Sequence, residues 1–306
     1  MSTHSARLGL VQISFAGVLW GTGGLGMKII ADHSSLSFLT VSAYRMVVAA
    51  VVLAVTVLAR RSVAEVRDLL SRHPLRSTLV GLCTGGYQAL YFSAVLSVGL
   101  TVATVVSLGL APVLLAVGEA IRLRRRPLPR QTAVVLMALI GLVMVSSTGA
   151  SAGAHPVRGV AEAVASGTLW ALTTAISRGI AASTQPLALV TVATSAGAIM
   201  LVPLAFIGGG SFLPPTVAVA AALSYLGVFT MALAYGLLYA GLRSVEASAA
   251  VIATLLEPVT AAMAAALLLN EDIGVRGLVG TVAILGAVAA LGRNDPEPVA
   301  ISGAQT

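Results

Sequence analysis

VVAAVVLAVTVLA, Val47 to Ala59, decides the fold. It carries no charge, and it lacks the alternation of apolar and polar residues that marks a lipid-facing barrel strand. Followed outward, the apolar run extends back to about residue 38. A helix needs about 20 mostly apolar residues to cross about 30 Å of hydrocarbon, so residues 38–59 read as one membrane-spanning helix. Nine further runs meet the same standard. The ten expected spans are about 8–30, 38–59, 77–97, 100–121, 131–148, 158–179, 187–207, 216–241, 245–269 and 275–292.

Composition points the same way. Of 306 residues 58% are apolar and 9% charged, where soluble domains carry about 25% charge. Too few charges remain to make a polar skin around a soluble core. The expected class is all-α integral membrane, with ten transmembrane helices. The first run follows Arg7 but continues to Lys28 without a small-residue cleavage site, so it reads as a retained helix and not a secretory signal. The single cysteine, Cys83, lies within a span and forms no intrachain disulfide.

The net charge of +7 is a topology signal. With the N-terminus placed in the cytoplasm, Arg7, Arg60, Arg61, Arg67, Arg72, Arg76, Arg122, Arg124, Arg125, Arg126, Arg130, Arg178, Arg243 and Arg293 all fall inside. Lys28, Arg158 and Arg276 fall near the outer face, and Arg45 lies within span 2. That asymmetry satisfies the positive-inside rule. It predicts a multi-pass protein of a bacterial-type plasma membrane with both termini cytoplasmic, and it leaves no role for nucleic acid. The Arg60 to Arg76 loop spaces Val63, Val66, Leu69 and Leu70 helically, as a short interfacial helix would.

Two stretches resemble one another. Gly86 to Pro112 and Ala234 to Pro258 each carry Tyr-x-x-x-Tyr (Tyr87 and Tyr91; Tyr235 and Tyr239), a short loop, and a span with a central proline. Trp20 and Trp170 precede those prolines at nearly equal distances. An internal duplication follows, divided at the Gly/Ser/Ala-rich stretch from Ser146 to Gly153: an N-terminal repeat 1–150 and a C-terminal repeat 151–306, five helices each. Five crossings leave the chain on the opposite side, so the second copy is inverted. Inverted repeats are the architecture of many secondary transporters, with the substrate near the midplane and alternating access by rocking of the halves.

LWGTGG with its following lysine (Leu19 to Lys28), Tyr44-Arg45, the LAP of span 4, and LLEP followed by LLLNEDIGVRGLVGTVAILGAV (Leu267 to Val288) resemble the EamA-type members of the drug/metabolite transporter superfamily. One position departs: Glu271 follows its proline by 13 residues where the first copy has Arg125. The resemblance implies a ten-helix inner-membrane carrier, often an exporter of amino acids, metabolites or toxic compounds.

Charges inside a membrane are costly and therefore functional candidates. Glu257 precedes Pro258, whose missing N–H breaks or kinks span 9 near its middle. It reads either as a site for a substrate amine or coupling proton, or as a carboxylate satisfied by a neighbouring helix. Arg45 must pair or reach water; Glu257, a substrate carboxylate and a structural partner are its candidates. Glu119, Arg178 and Glu162 lie near span ends and are expected to snorkel, and Lys28 to anchor at the interface. The candidate cavity set is Trp20, Tyr87, Gln88, Tyr91, Trp170, Tyr235 and Glu257, with Gly21, Pro112 and Pro258 as kink or gating positions. No cofactor or metal site is expected.

Two motifs imitate other chemistry. Gly21-Thr22-Gly23-Gly24-Leu25-Gly26 is formally G-x-G-x-x-G, but it lies within an apolar span with no strand before it, and Gly17 and Gly21 instead form a helix-packing G-x-x-x-G. Gly149 to Gly153 is formally G-x-S-x-G, yet it has no preceding strand and no acid before Glu162. An enzyme is not expected. The expected function is export of a small metabolite or amino acid. The alternatives are an uncoupled facilitator and a non-transporting scaffold subunit, and oligomeric state is left open.

Overall fold

The computed structural model describes residues 3–124, 128–146, 155–208, 212–269 and 274–292. Expectations placed on Arg125, Arg126, Glu271, Arg293, residues 147–154 of the linker and the Gly149 to Gly153 motif lie outside these. Every regular element among the described residues is helical. In order they are α1 (Thr3–His33), α2 (Phe38–Ala59), α3 (Val63–Arg72), α4 (Pro74–Val98), α5 (Leu100–Leu123), α6 (Pro129–Ser146), α7 (Pro156–Ala181) and α8 (Pro186–Ile207). There follow α9 (Val217–Tyr225), a π-helical segment (Leu226–Leu233), α10 (Ala234–Gly241), α11 (Ala247–Thr254), α12 (Leu256–Leu269) and α13 (Gly274–Gly292).

Local sequence sets these boundaries. The starts of α4, α6, α7 and α8 fall on Pro74, Pro129, Pro156 and Pro186, where a missing N–H costs nothing. Ser37 and Thr216 accept from the Thr40 and Val219 amides and cap α2 and α9. Gly99, at φ 90, is the sole residue between α4 and α5, a conformation that glycine adopts without strain. The amphipathic α3 is present as expected and buries Leu69.

Nine helical stretches among the described residues are long and apolar enough to cross a membrane. The chain is thus a multi-pass, all-helical membrane protein. The expected span 158–179 lies within α7, which is 26 residues long but is not among the nine. Arg158, Glu162, Arg178 and several serines, threonines and glycines lower its hydropathy, and much of its surface faces other helices.

The structure adds detail that the sequence did not give. In span 8, residues 226–233 are π-helical between α9 and α10. α5 runs continuously through Pro112, whereas the partner span is interrupted at Leu255, between α11 and α12. Gly21 lies inside a continuous α1, where a Cβ would stand 2.5 Å from the Glu257 carbonyl oxygen and 2.5 Å from Thr260 Cβ. Its role in the fold is to let α1 approach α12, as small residues do in membranes.

The main helix pairings are α4 with α7 and α8, α2 with α8, α5 with α7, α1 with α10 and α12, and α6 with α13. Several contacts occur twice. A Cβ at Gly17 would stand 3.0 Å from the Thr254 carbonyl oxygen, and one at Gly167 would stand 2.5 Å from that of Ser107. Gly9 of α1 abuts Val245, and Gly159 of α7 abuts Val98. Gly141 and Gly280 approach each other reciprocally, each leaving a Cβ only 2.8 and 2.7 Å from the other's carbonyl oxygen.

Candidate functional site

Helix pairing brings most of the singled-out aromatic residues together. Trp20 of α1 meets Trp170 of α7 edge-on at 5.6 Å between ring centroids. Trp20 also meets Tyr235 of α10 at 5.1 Å, and Trp170 meets Tyr87 of α4 at 5.4 Å. Tyr91 continues from Tyr87 at 6.1 Å, and Tyr239 from Tyr235 at 5.9 Å. Such offset and edge-on contacts suit ring quadrupoles. These six rings meet where α1, α4, α7 and α10 converge, and the contacts continue from Tyr91 to Phe92 at 5.4 Å and from there to Phe38 of α2 at 5.1 Å.

Arg45 of α2 and Glu257 of α12 flank this cluster. Arg45 is within electrostatic reach of Tyr235, Glu257 and Tyr87. It donates from Nη2 to Thr230 Oγ1 at 3.2 Å, and among the described residues no carboxylate lies within ion-pairing distance of it. Thr230, in the π-helical segment, was not singled out from the sequence. Its carbonyl also accepts the Trp20 indole N–H at 2.7 Å, so one residue positions both Trp20 and Arg45. A hydroxyl in the middle of the apolar run LGVFTMAL is the one sequence signal that could have found it.

Glu257 occupies the first turn of α12, with Pro258 beside it. The break at Leu255 makes both residues acceptable there, because first-turn N–H groups lack intrahelical partners. A carboxylate near a helix N-terminus also meets the favourable end of the helix dipole. Glu257 is half-buried, and so are Arg45, Trp20, Tyr87 and Tyr91, which lie well inside long helices. Trp170 and Tyr235, by contrast, are 3% and 4% exposed. The cluster thus passes from partly exposed rings on the side of Tyr91 to fully buried ones on that of Tyr239, which is 1% exposed. Tyr239 is too deeply buried to mark a membrane interface.

Gln88 does not join the rings. It lies on the Gly81 side of α4, toward α8, and is buried. The charged residues near span ends have specific partners. Glu119 accepts from the Ser248 hydroxyl at 2.6 Å and its amide at 3.2 Å, capping α11 from the neighbouring α5. Arg178 pairs with Glu246 at 3.4 Å, and Glu162 pairs with Arg158 at 2.9 Å while accepting from Ser97 at 3.1 Å. Lys28 pairs with Asp32 at 3.4 Å. Each polar group has found a neighbour one turn or one helix away, which reaching past the span end would forgo. Surface cavities of about 430 and 420 Å³, one beside Glu65, Asp68 and Arg243 and the other between α1 and α9, lie apart from the cluster.

Comparison with known proteins bears on this arrangement. The profile of the EamA-like transporter family matches residues 7–147 and 157–293. The uncharacterized transporter YwfM of Bacillus subtilis (strain 168) is 32% identical over 193 residues, which cover 63% of this chain and 64% of that protein. A solved crystal structure superposes on 94% of this chain and 96% of its own with a TM-score of 0.78. At 21% identity, that likeness speaks for the fold alone. With the family profile matching nearly the whole length, the chain belongs to the EamA-like transporter family.

Proposed function

We propose that the protein is a secondary transporter of a bacterial plasma membrane that exports a small metabolite, such as an amino acid, by alternating access. The observation that carries this reading is the ring cluster flanked by two half-buried charges, Arg45 within α2 and Glu257 at the break between α11 and α12. A cation, an anion and aromatic faces around one cluster suit a small substrate bearing both charges.

The halves are residues 1–150 and 151–306, five spans each with α7 as the sixth crossing, related by inversion. Paired contacts support this: Trp20–Tyr235 with Trp170–Tyr87, Gly17–Thr254 with Gly167–Ser107, and the reciprocal Gly141–Gly280 approach. The two stretches matched by the family profile fall on either side of the same division. Both termini are cytoplasmic, on the charge asymmetry. In the alternate state the halves exchange roles, so that Tyr239 opens and Tyr91 closes. Glu257 binds the substrate amine or the coupling proton, Arg45 opposes a substrate carboxylate, and the break at Leu255 is the mobile element.

The test begins with metabolite profiles of the medium around cells that overproduce or lack the protein. The compound that changes is then assayed in liposomes with and without a pH gradient. Indifference to the gradient would make the protein a facilitator, and no flux of any exported compound would end the transport reading. Single cysteines near Ser35 and near Arg125 should label from opposite sides; labelling from one side would refute the topology.

A further inference from the structure

α4, α7 and α10 each carry two side chains with polar atoms, spaced four residues apart: Thr84 and Gln88, Thr173 and Ser177, Tyr235 and Tyr239. Residues at that spacing share a helix face and stand about 6 Å apart along its axis. The C-terminal end of α4 packs on the N-terminal end of α7, through Val98 and Gly159, so these helices run antiparallel. With Leu169 beside Gly86 and Ser166 bonded to the Tyr87 carbonyl, this register sets Gln88 near the level of Trp170 and Thr84 near that of Thr173, with Ser177 one turn further along α7. The Tyr239 hydroxyl lies beside Thr84 and Ser177. Tyr235, one turn before it, joins the cluster, since it meets both Trp20 and Trp170.

This column is buried and polar at once. Thr173 and Ser177 are 0% exposed and Gln88 4%. The hydroxyls of Tyr239, Ser177 and Thr173 and both amide atoms of Gln88 have no protein hydrogen-bond partner. Tyr239 stands beside Ser177 and Thr84, yet neither approach has hydrogen-bond geometry. Beyond Ser177, Arg178 has a buried, unpartnered Nε while its Nη2 reaches Glu246 at 3.4 Å. Five orphaned atoms on three adjoining helices are too many for a dry core, in which nearly all buried polar groups are bonded. Where such groups enclose room for a water, they hold ordered water.

We infer that this column holds a file of ordered water molecules and forms the closed half of the substrate path, running from the ring cluster to the Arg178–Glu246 pair. The inference rests on reading the ring cluster as the substrate site. Closure here is by helix approach, without an apolar plug, so opening needs the helices to part but leaves few new polar groups to hydrate. The corresponding outer-side tyrosine differs: the Tyr91 hydroxyl is bonded to Thr104 at 2.8 Å, and its ring is partly exposed.

X-ray radiolytic hydroxyl labelling of the full-length protein in nanodiscs, read by mass spectrometry, tests the file, because bound water generates radicals in place. Tyr239 should be labelled several-fold above Met231, a more reactive side chain that is 0% exposed. Protection of Tyr239 equal to that of Met231 would overturn the inference. In the Thr173→Val, Ser177→Ala double variant, Tyr239 labelling should fall several-fold, and Tm should stay level or drop as water contacts are lost. A rise in Tm would mean that the hydroxyls had been dry and would likewise overturn it. Labelling involves no transport step. Flux with a dry column removes only this inference, whereas a labelled column without flux of any exported compound removes only the transport reading.

Discussion

Pro112 and Pro258 hold matching places in the two proposed halves, and the helices around them differ. α5 continues through Pro112, while the C-terminal counterpart stops at Thr254 and restarts at Leu256. An interior proline removes one backbone hydrogen bond and crowds the preceding turn, at a cost of about 3 kcal/mol; a proline in a first turn avoids both. α5 is tied to its neighbour, since Ser107 donates across to the Ala163 carbonyl of α7 at 3.1 Å. At the corresponding place Thr254 donates to Val251 of its own helix at 2.8 Å. The π-helical segment is likewise confined to the C-terminal half, where α4 offers a regular helix as its counterpart. One half is thus sutured and the other jointed, and the jointed half carries Glu257. A carrier needs both, a frame and an element that moves against it.

The largest expected effect tests the jointed side. Glu257→Gln keeps the shape of the side chain and removes its charge, and should lower gradient-driven flux in liposomes by about tenfold or more. Unchanged, gradient-sensitive flux would strip Glu257 of its role. The converse substitution follows in size. Ala111 precedes Pro112 as Glu257 precedes Pro258, but it is fully buried. Ala111→Glu should destabilise by about 3 kcal/mol, the insertion cost of a charge in hydrocarbon, read as a lower Tm and yield. Wild-type behaviour would show that the sutured half has an opening of its own.

Much of this was legible beforehand, for identifiable reasons. Span positions follow from apolar length, and Trp20, Trp170 and the tyrosine pairs could be matched because a duplication repeats their order. Pro258 forecast an interruption near Glu257. That α5 continues through Pro112 was not legible, because whether a helix restarts depends on cross-helix ties such as Ser107 to Ala163 that no local pattern encodes. The π-helical turn is hidden for a similar reason: LGVFTMAL suits an α-helix equally well, and the Trp20 indole and Arg45 guanidinium that grip Thr230 come from about 200 residues away. The partner of Glu119 was hidden because Ser248 offers a free amide and hydroxyl only where α11 begins.

The glycine contacts sharpen the comparison further. Gly167→Ala would push a Cβ to 2.5 Å from the Ser107 carbonyl oxygen on an unbroken helix, and should cost about 1–3 kcal/mol as overpacking. Gly17→Ala meets Thr254 at 3.0 Å, at the end of α11, where the chain already turns and can give. Its cost should stay under about 1 kcal/mol. Melting curves in detergent rank the two, and the reverse order would break the distinction between frame and joint.

The smallest effect isolates the suture itself. Ser107→Ala removes a buried donor and leaves the Ala163 carbonyl one partner short, for a loss of about 0.5–1.5 kcal/mol. Thr254→Val keeps the volume and deletes a hydroxyl that bonds only within its own turn, so its Tm should hardly move. The pair also separates two origins of the joint. If the missing cross-helix bond is what frees α11, then Ser107→Ala should loosen α5, seen as faster backbone amide exchange around Pro112. If Pro112 stays as protected as before, glycine packing alone holds α5 straight, and the break at Leu255 must then come from Glu257 and Pro258 themselves.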